Sequence, residues 1–145
     1  TGMVAGLGTI TPASGFVSPL AGICIGAVAG LICYGATQLV KRKWHIDDSL
    51  DVSPVHGVGG VIGTLMTGVF AAPALGGTGF AVASHSMLAQ IGVQALAVIV
   101  VGVWCALVTF VLLRILDATL GLRVPEEHEV EGLDLGSHGE RGYSL

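Results

Sequence analysis

Charge is what this chain has least of. Asp, Glu, Lys and Arg make up 11% of its 145 residues, where an ordinary soluble domain carries about 25%. The deficit is concentrated: no such residue occurs from Thr1 to Val40, nor from Val52 to Leu113. A soluble core of this size could not absorb two uncharged runs of that length. The three cysteines, Cys24, Cys33 and Cys105, stand apart in apolar stretches and form no CxxC. Neither they nor His45, His85, His128 and His138 have metal-ligand spacing, so no zinc or other metal site is expected. Nucleophile elbow, P-loop and dinucleotide fingerprint are all missing; Gly57-Val58-Gly59-Gly60 lies in the wrong context for phosphate. An enzyme is therefore not expected, and no cofactor is implied. Basic residues are scarce as well, six against ten acids, and the net charge of −4 resides in the C-terminal tail. Nothing here would attract nucleic acid.

What is present is apolar length. Hydrophobic residues reach 52% and mean hydropathy is +0.83. A helix needs about 20 apolar residues to cross a bilayer, and the charge-free runs supply them. The pattern predicts an all-α membrane protein with spans over 18–40, 51–72 and 86–120, preceded by a partial span over 1–17. The chain starts at Thr1 with no initiator Met and no basic leader. Residues 1–17 thus read as the end of a helix, in a C-terminal piece of a larger membrane protein. The last span is some 35 residues, roughly 50 Å at 1.5 Å per residue. It should tilt or project beyond a ~30 Å hydrocarbon layer.

Orientation is set by the basic residues. Lys41, Arg42 and Lys43 mark the first loop as cytoplasmic, and the 73–86 loop without Lys or Arg as external. Arg114 and Arg123 then return the end of the last span to the cytoplasm. His85 lies at its outer edge, an interfacial position. In the first full span Gly22, Gly26 and Gly30 share one helix face, a spacing that lets another helix approach closely. Tight packing within one bundle is the expected use.

One ionisable residue interrupts the middle run. His56 comes after three clustered carboxylates, Asp47, Asp48 and Asp51, and precedes Gly59, Gly60, Gly63 and Thr67. On a helix His56, Gly59 or Gly60, Gly63 and Thr67 fall on one face, an imidazole on a stripe of small residues where a narrow lumen fits. An ionisable group at such depth is costly and points to a permeation pathway. A neutral imidazole donates from one nitrogen and accepts at the other, so it passes a proton or holds a small hydrogen-bonding solute. The plainer reading is a structural histidine bonded to a neighbouring helix. The carboxylates suit the start of that helix, where negative charge offsets the dipole, and Pro54 is tolerated in its first turn.

From Gly121 the character changes. The tail, 121–145, holds six acids and two arginines, so it should not adhere to an anionic leaflet. Pro125, with Glu126 and Glu127 after it, suits the start of a short helix, and Gly132, Gly136, Gly139 and Gly142 break regularity beyond it. Two readings stand: a disordered tail, or a segment that docks on protein through Leu133, Leu135 and Tyr143.

Three blocks resemble a known family. They are Ala5 to Ala13 (AGLGTITPA); the Asp47–Asp51 cluster with Val55-His56-Gly57-Val58-Gly59-Gly60; and Gly121 to Glu127 (GLRVPEE) with Glu131-Gly132-Leu133-Asp134 and Ser137 to Glu140. In content and spacing the chain resembles the C-terminal third of an ammonium transporter of the Amt/MEP/Rh superfamily, on the bacterial Amt side. The resemblance implies eleven transmembrane helices per subunit, a homotrimer with one pore per subunit, and a cytoplasmic C-terminus at the inner membrane. The spans here would be the ninth to eleventh helices. His56 would be the second of a twin-histidine pair lining a hydrophobic pore for ammonium and ammonia. Asp47, Asp48 and Asp51 match the family's acidic cluster, assigned here to shaping the helix start. Gly121, Arg123, Pro125, Glu126, Glu127, Gly132, Asp134 and Tyr143 match a regulatory tail that contacts neighbouring subunits and a PII-type signalling protein linked to nitrogen regulation. The first pore histidine, the outer cation site and the phenylalanine gate would belong to helices preceding this chain. Two other classes are weighed beside transport: an ammonium sensor or regulatory membrane protein acting through its tail, and a nonconducting interaction subunit.

Overall fold

Residues 2–82, 86–140 and 142 are described by a computed structural model, and all regular structure among them is helical. Helix α1 spans Gly2–Ile10 and tightens into a 3₁₀ turn at Thr11–Ala13. Helix α2 spans Pro19–Gln38 and widens into a π-helical turn at Leu39–Lys43. A second π-helical turn, Ser53–Val58, runs directly into α3, Gly59–Phe70. Helix α4 covers Met87–Thr119, and two short helices come after it, α5 at Glu126–Glu131 and α6 at Leu133–His138. The chain divides into two compact units, Thr1–Val101 and Gly102–Leu145. His85 and Tyr143, to which the sequence assigns an interfacial and a tail role, lie outside the described residues.

In the first unit, helices α1, α2 and α3 pack on one another through rows of small residues spaced four apart. The buried rows are Ala5, Thr9 and Ala13; Ala21, Ile25, Ala29 and Cys33; and Gly59, Gly63 and Thr67. Their closest approach is between α1 and α3. A Cβ on Gly63 would stand 1.9 Å from the carbonyl oxygen of Thr9, and one on Gly59 2.7 Å from the Thr9 hydroxyl. No side chain fits there, so backbone meets backbone. In the absence of a hydrophobic difference between helix and lipid, this close dispersion contact and Cα–H···O geometry are what can hold helices together.

The row that packs α2 differs from the one expected. Gly26 and Gly30 have nothing within 4 Å of a Cβ position, and Gly22 meets only the Ile10 side chain at 3.7 Å. The seam is the row one residue ahead of them. The physical reason is contact area. Cys33 fills space against Ala5 of α1 and Val55, and Ile25 is fully buried, whereas a glycine row offers little to touch.

Ser18 starts α2 as its N-cap, accepting from the Ala21 amide at 3.4 Å, with Pro19 in the first helical position. The same serine donates to the Leu75 carbonyl at 3.3 Å, and the Thr78 amide donates to the Phe16 carbonyl at 3.0 Å. These bonds tie the 73–79 loop to the head of α2. At the far end of α3, Gly68 lies against the backbone of Ile91, 3.1 Å from a would-be Cβ, which brings the first turns of α4 alongside.

Among the described residues, two helices are long and apolar enough to cross a membrane: Pro19–Lys43 and Met87–Thr119. None of the 33 residues of α4 is buried, and a helix apolar on all sides needs an apolar environment or partner helices. Gly121, in the left-handed region at φ +79°, ends it with its amide bonded to the Leu116 carbonyl.

In the second unit the tail is folded. Glu126, Glu127 and Glu129 occupy the first turn of α5, where their charge complements the dipole. Gly132, at φ +100°, turns the chain between α5 and α6, a conformation that L side chains rarely adopt. The His128 ring covers Gly136, 3.4 Å from a Cβ position there. Arg123 grips Glu129 bidentately, Nε to Oε1 at 2.5 Å and Nη2 to Oε2 at 2.7 Å.

Substitution and pH each probe this packing. Gly63→Ala should destabilise the α1–α3 seam by about 1–3 kcal/mol, read as a lower melting temperature in detergent. Ala at Gly60, with nothing within 4 Å of its Cβ position, should be near neutral. In the tail, the Arg123 guanidinium holds the Glu129 carboxyl below its ordinary 4.5. A depressed carboxylate stabilises above its unfolded value and loses that effect as pH falls through its folded value. Hydrogen-exchange protection of the α5 amides should therefore be intact at neutral pH. Below pH 4.5 it should fall toward that of Arg123→Ala, once corrected for intrinsic exchange.

Candidate functional site

The connection from α2 to α3 turns on short polar bonds. The Trp44 amide donates to the Leu39 carbonyl and the Ile46 amide to the Val40 carbonyl, which folds the chain back at the end of α2. His45 at φ 51° and Asp51 at φ 57° sit in the left-handed region. His and Asp are among the few non-glycine residues that tolerate it.

The three carboxylates do different work. Asp48 caps the helix start: its Oδ1 accepts from the Val52 amide at 2.8 Å, and its Oδ2 accepts from the Ser53 amide at 2.8 Å and the Ser53 hydroxyl at 2.6 Å. The Ser53 hydroxyl first, then the Ser53 and Val52 amides, hold its carboxyl below the ordinary 3.8. Asp51 is nearly buried and forms an ion pair with Lys41, Nζ to Oδ1 at 2.8 Å. Its carbonyl accepts from the Val55 amide at 3.0 Å, an i to i−4 bond across the start of the turn. Asp47 is exposed.

His56 is carried by the π-helical turn that these groups begin. Pro54 and Val55, just before it, are buried, and Val55 packs with Ala5 and Cys33. Pro54 lacks an amide proton where a first turn needs none. The imidazole itself is exposed in this chain. Its Nδ1 lies 3.7 Å from where a Cβ on Gly8 would stand, so α1 borders it on one side with a residue that has no side chain.

The stripe beyond His56 does not frame an open lumen. Gly59, Gly63 and Thr67 are buried against α1, and the space in front of Gly63 is occupied by the Thr9 backbone. Thr67 turns its hydroxyl onto its own helix, bonding the Gly63 carbonyl at 2.7 Å. His56 stands at the rim of this seam instead of within it. The reason is the π-turn: more residues per turn over 53–58 shift the histidine off the row that counting at 3.6 places it on.

Two contributors carry no signal in the sequence. Lys41 reads there only as an orientation marker, yet it is the partner of Asp51. Thr9 has no reading of its own, yet it is the most closely engaged residue of α1, fully buried with its carbonyl against Gly63. A lysine ten residues before an aspartate across a loop belongs to no period. A threonine in an apolar helix stands out no more.

An exposed imidazole, bordered by glycine backbone at a widened helical turn, is suited to exchanging hydrogen bonds or a proton with a small solute. Comparison with known proteins points to one family. The profile described as the Ammonium Transporter Family matches residues 1–143. The chain is similar to Ammonium transporter 1 of Dictyostelium discoideum, 46% identical over 142 residues that cover 98% of this chain and 31% of that protein. It is similar to the ammonium transporter of Aquifex aeolicus, 46% identical over 145 residues, all of this chain and 34% of that protein. It is 40% identical to the ammonium transporter of Bacillus subtilis over 143 residues, 99% of this chain and 35% of that protein. It thus spans about a third of the length of these relatives. The match runs through the whole of the helical unit and into the tail, and the chain belongs to the ammonium transporter family.

Proposed function

We propose that this chain is the C-terminal third of a protein that moves ammonium or ammonia across the cytoplasmic membrane, and that His56 lines its conduction path. The observation that carries the reading is the placement of His56. It is an ionisable side chain between apolar helices, exposed beside Gly8 on a turn whose neighbours Pro54 and Val55 are buried. Such a group on the exposed side of a helix seam is costly unless it faces a polar path. A second histidine, supplied by helices that precede this chain, completes the twin-histidine pore. The imidazole accepts a hydrogen bond from the passing solute at one nitrogen and donates from the other.

Membrane placement rests on Pro19–Lys43 and Met87–Thr119, with the Lys41–Lys43 end cytoplasmic by its basic residues. The C-terminal tail is then cytoplasmic too. Its folded α5–α6 hairpin and the Arg123–Glu129 grip give it a definite surface, which supports docking over disorder. We assign that surface to contact with neighbouring subunits of a homotrimer and with a PII-type signalling protein.

The test is uptake of methylammonium, an ammonium surrogate, by cells lacking their own ammonium transporters and expressing the whole gene. His56→Ala and His56→Glu should each lower uptake by about tenfold or more, or change ion selectivity, at unchanged membrane abundance. Unchanged uptake and selectivity would make His56 a packing residue.

A further inference from the structure

The link between α2 and the turn that bears His56 is held from two sides. Within the loop, Asp48 bonds the amides of Val52 and Ser53. From outside it, Lys41 reaches from the π-helical turn at the end of α2 to Asp51, with 2.8 Å between Nζ and Oδ1. Backbone bonds fold the first part of the loop, from the Trp44 amide to the Leu39 carbonyl and from the Ile46 amide to the Val40 carbonyl. Trp44, Ile46 and Leu50 are all more than half exposed, so no large apolar side chain anchors the connection in the core. The side chain of Asp51 is 13% exposed and that of Lys41 41%, so the pair is shielded on the Asp side and open to water on the other. The Asp51 carbonyl also accepts from the Val55 amide, one residue before His56, and the Asp51 backbone is in the left-handed region. A charge held across the loop therefore fixes the backbone from which the His56 turn begins.

We propose that Lys41 and Asp51 are positioning residues for His56: their ion pair clamps the end of α2 to the start of the π-helical turn and so holds the imidazole in register beside Gly8. Resting on the reading of His56 as a pathway residue, the proposal gives Lys41 a role that Arg42 and Lys43 do not share, although all three carry the same charge at the same end of the helix. A role in membrane orientation alone would make the three interchangeable.

The experiment uses the whole transporter and methylammonium uptake. Lys41→Met and Asp51→Asn should each lower the maximal uptake rate by about fivefold at normal membrane abundance, with KM changed by less than about twofold. Arg42→Met and Lys43→Met should leave uptake unchanged. The exchange Lys41→Asp with Asp51→Lys should recover most of the loss, a coupling that two independent structural defects would not produce. In parallel, hydrogen exchange of the 52–58 amides should quicken in Lys41→Met and not in Arg42→Met. That readout stands whether or not His56 conducts. Equal behaviour of Lys41→Met and Arg42→Met in both assays would overturn the proposal. Neutral His56→Ala would instead overturn the pathway reading, and quickened exchange in Lys41→Met would still mark the clamp. If Asp51→Asn fails to accumulate, Lys41→Met, at the more exposed partner, carries the comparison.

Discussion

The approach of Thr9 to Gly63 is the constraint on which the rest of the first unit depends. A carbonyl oxygen 1.9 Å from a would-be Cβ leaves room for hydrogen and nothing more. That contact sets the distance between α1 and α3, and Gly59 against the Thr9 hydroxyl sets it again one turn earlier. Once the two helices touch along backbone, the turn preceding α3 has nowhere to go but alongside α1. His56 is thereby brought to Gly8, and Val55 to Ala5 and Cys33. Glycine at two places further along the chain, Gly59 and Gly63, is thus one condition for where the candidate path residue lies.

This packing obeys the logic of an apolar environment. Burying hydrocarbon gains little when the surroundings are hydrocarbon too, so close approach, shape and backbone contact replace the hydrophobic effect as the cement. It accounts for small buried side chains in a chain so rich in large apolar ones. Leu20, Leu31, Leu88 and Trp104 face outward, while Ala5, Ala13, Ala21 and Ala29 are inside.

Three carboxylates near helix ends each meet a donor or a cation. Asp48 meets three donors, Asp51 meets Lys41, and Glu129 meets Arg123. The first two begin the turn that carries His56. The third braces the tail. Each of these carboxylates is tied within its own segment or to the nearest helix end, so the apolar helices run between fixed polar termini.

Helical class and family were legible in the sequence alone, because two charge-free runs of bilayer length admit little else and because three blocks of residues resemble one family. The carboxylates at the helix start were legible as a cluster, since a dipole attracts negative charge whichever residue supplies it. Their separate roles were not. Asp48, Asp51 and Asp47 differ only in where the loop's left-handed residues turn them. Nor could the sequence choose between rows of small residues: Gly22, Gly26 and Gly30 and the row beginning at Ala21 have the same spacing, and only the shape of α1 decides which one packs. The face of His56 escapes the sequence for a related reason. Counting at 3.6 residues per turn assumes a regular helix, and the π-helical widening at 53–58 breaks that count. Composition and period determined what the chain is made of and the medium that suits it; three-dimensional contact decided which faces meet, because contact depends on neighbours remote in sequence.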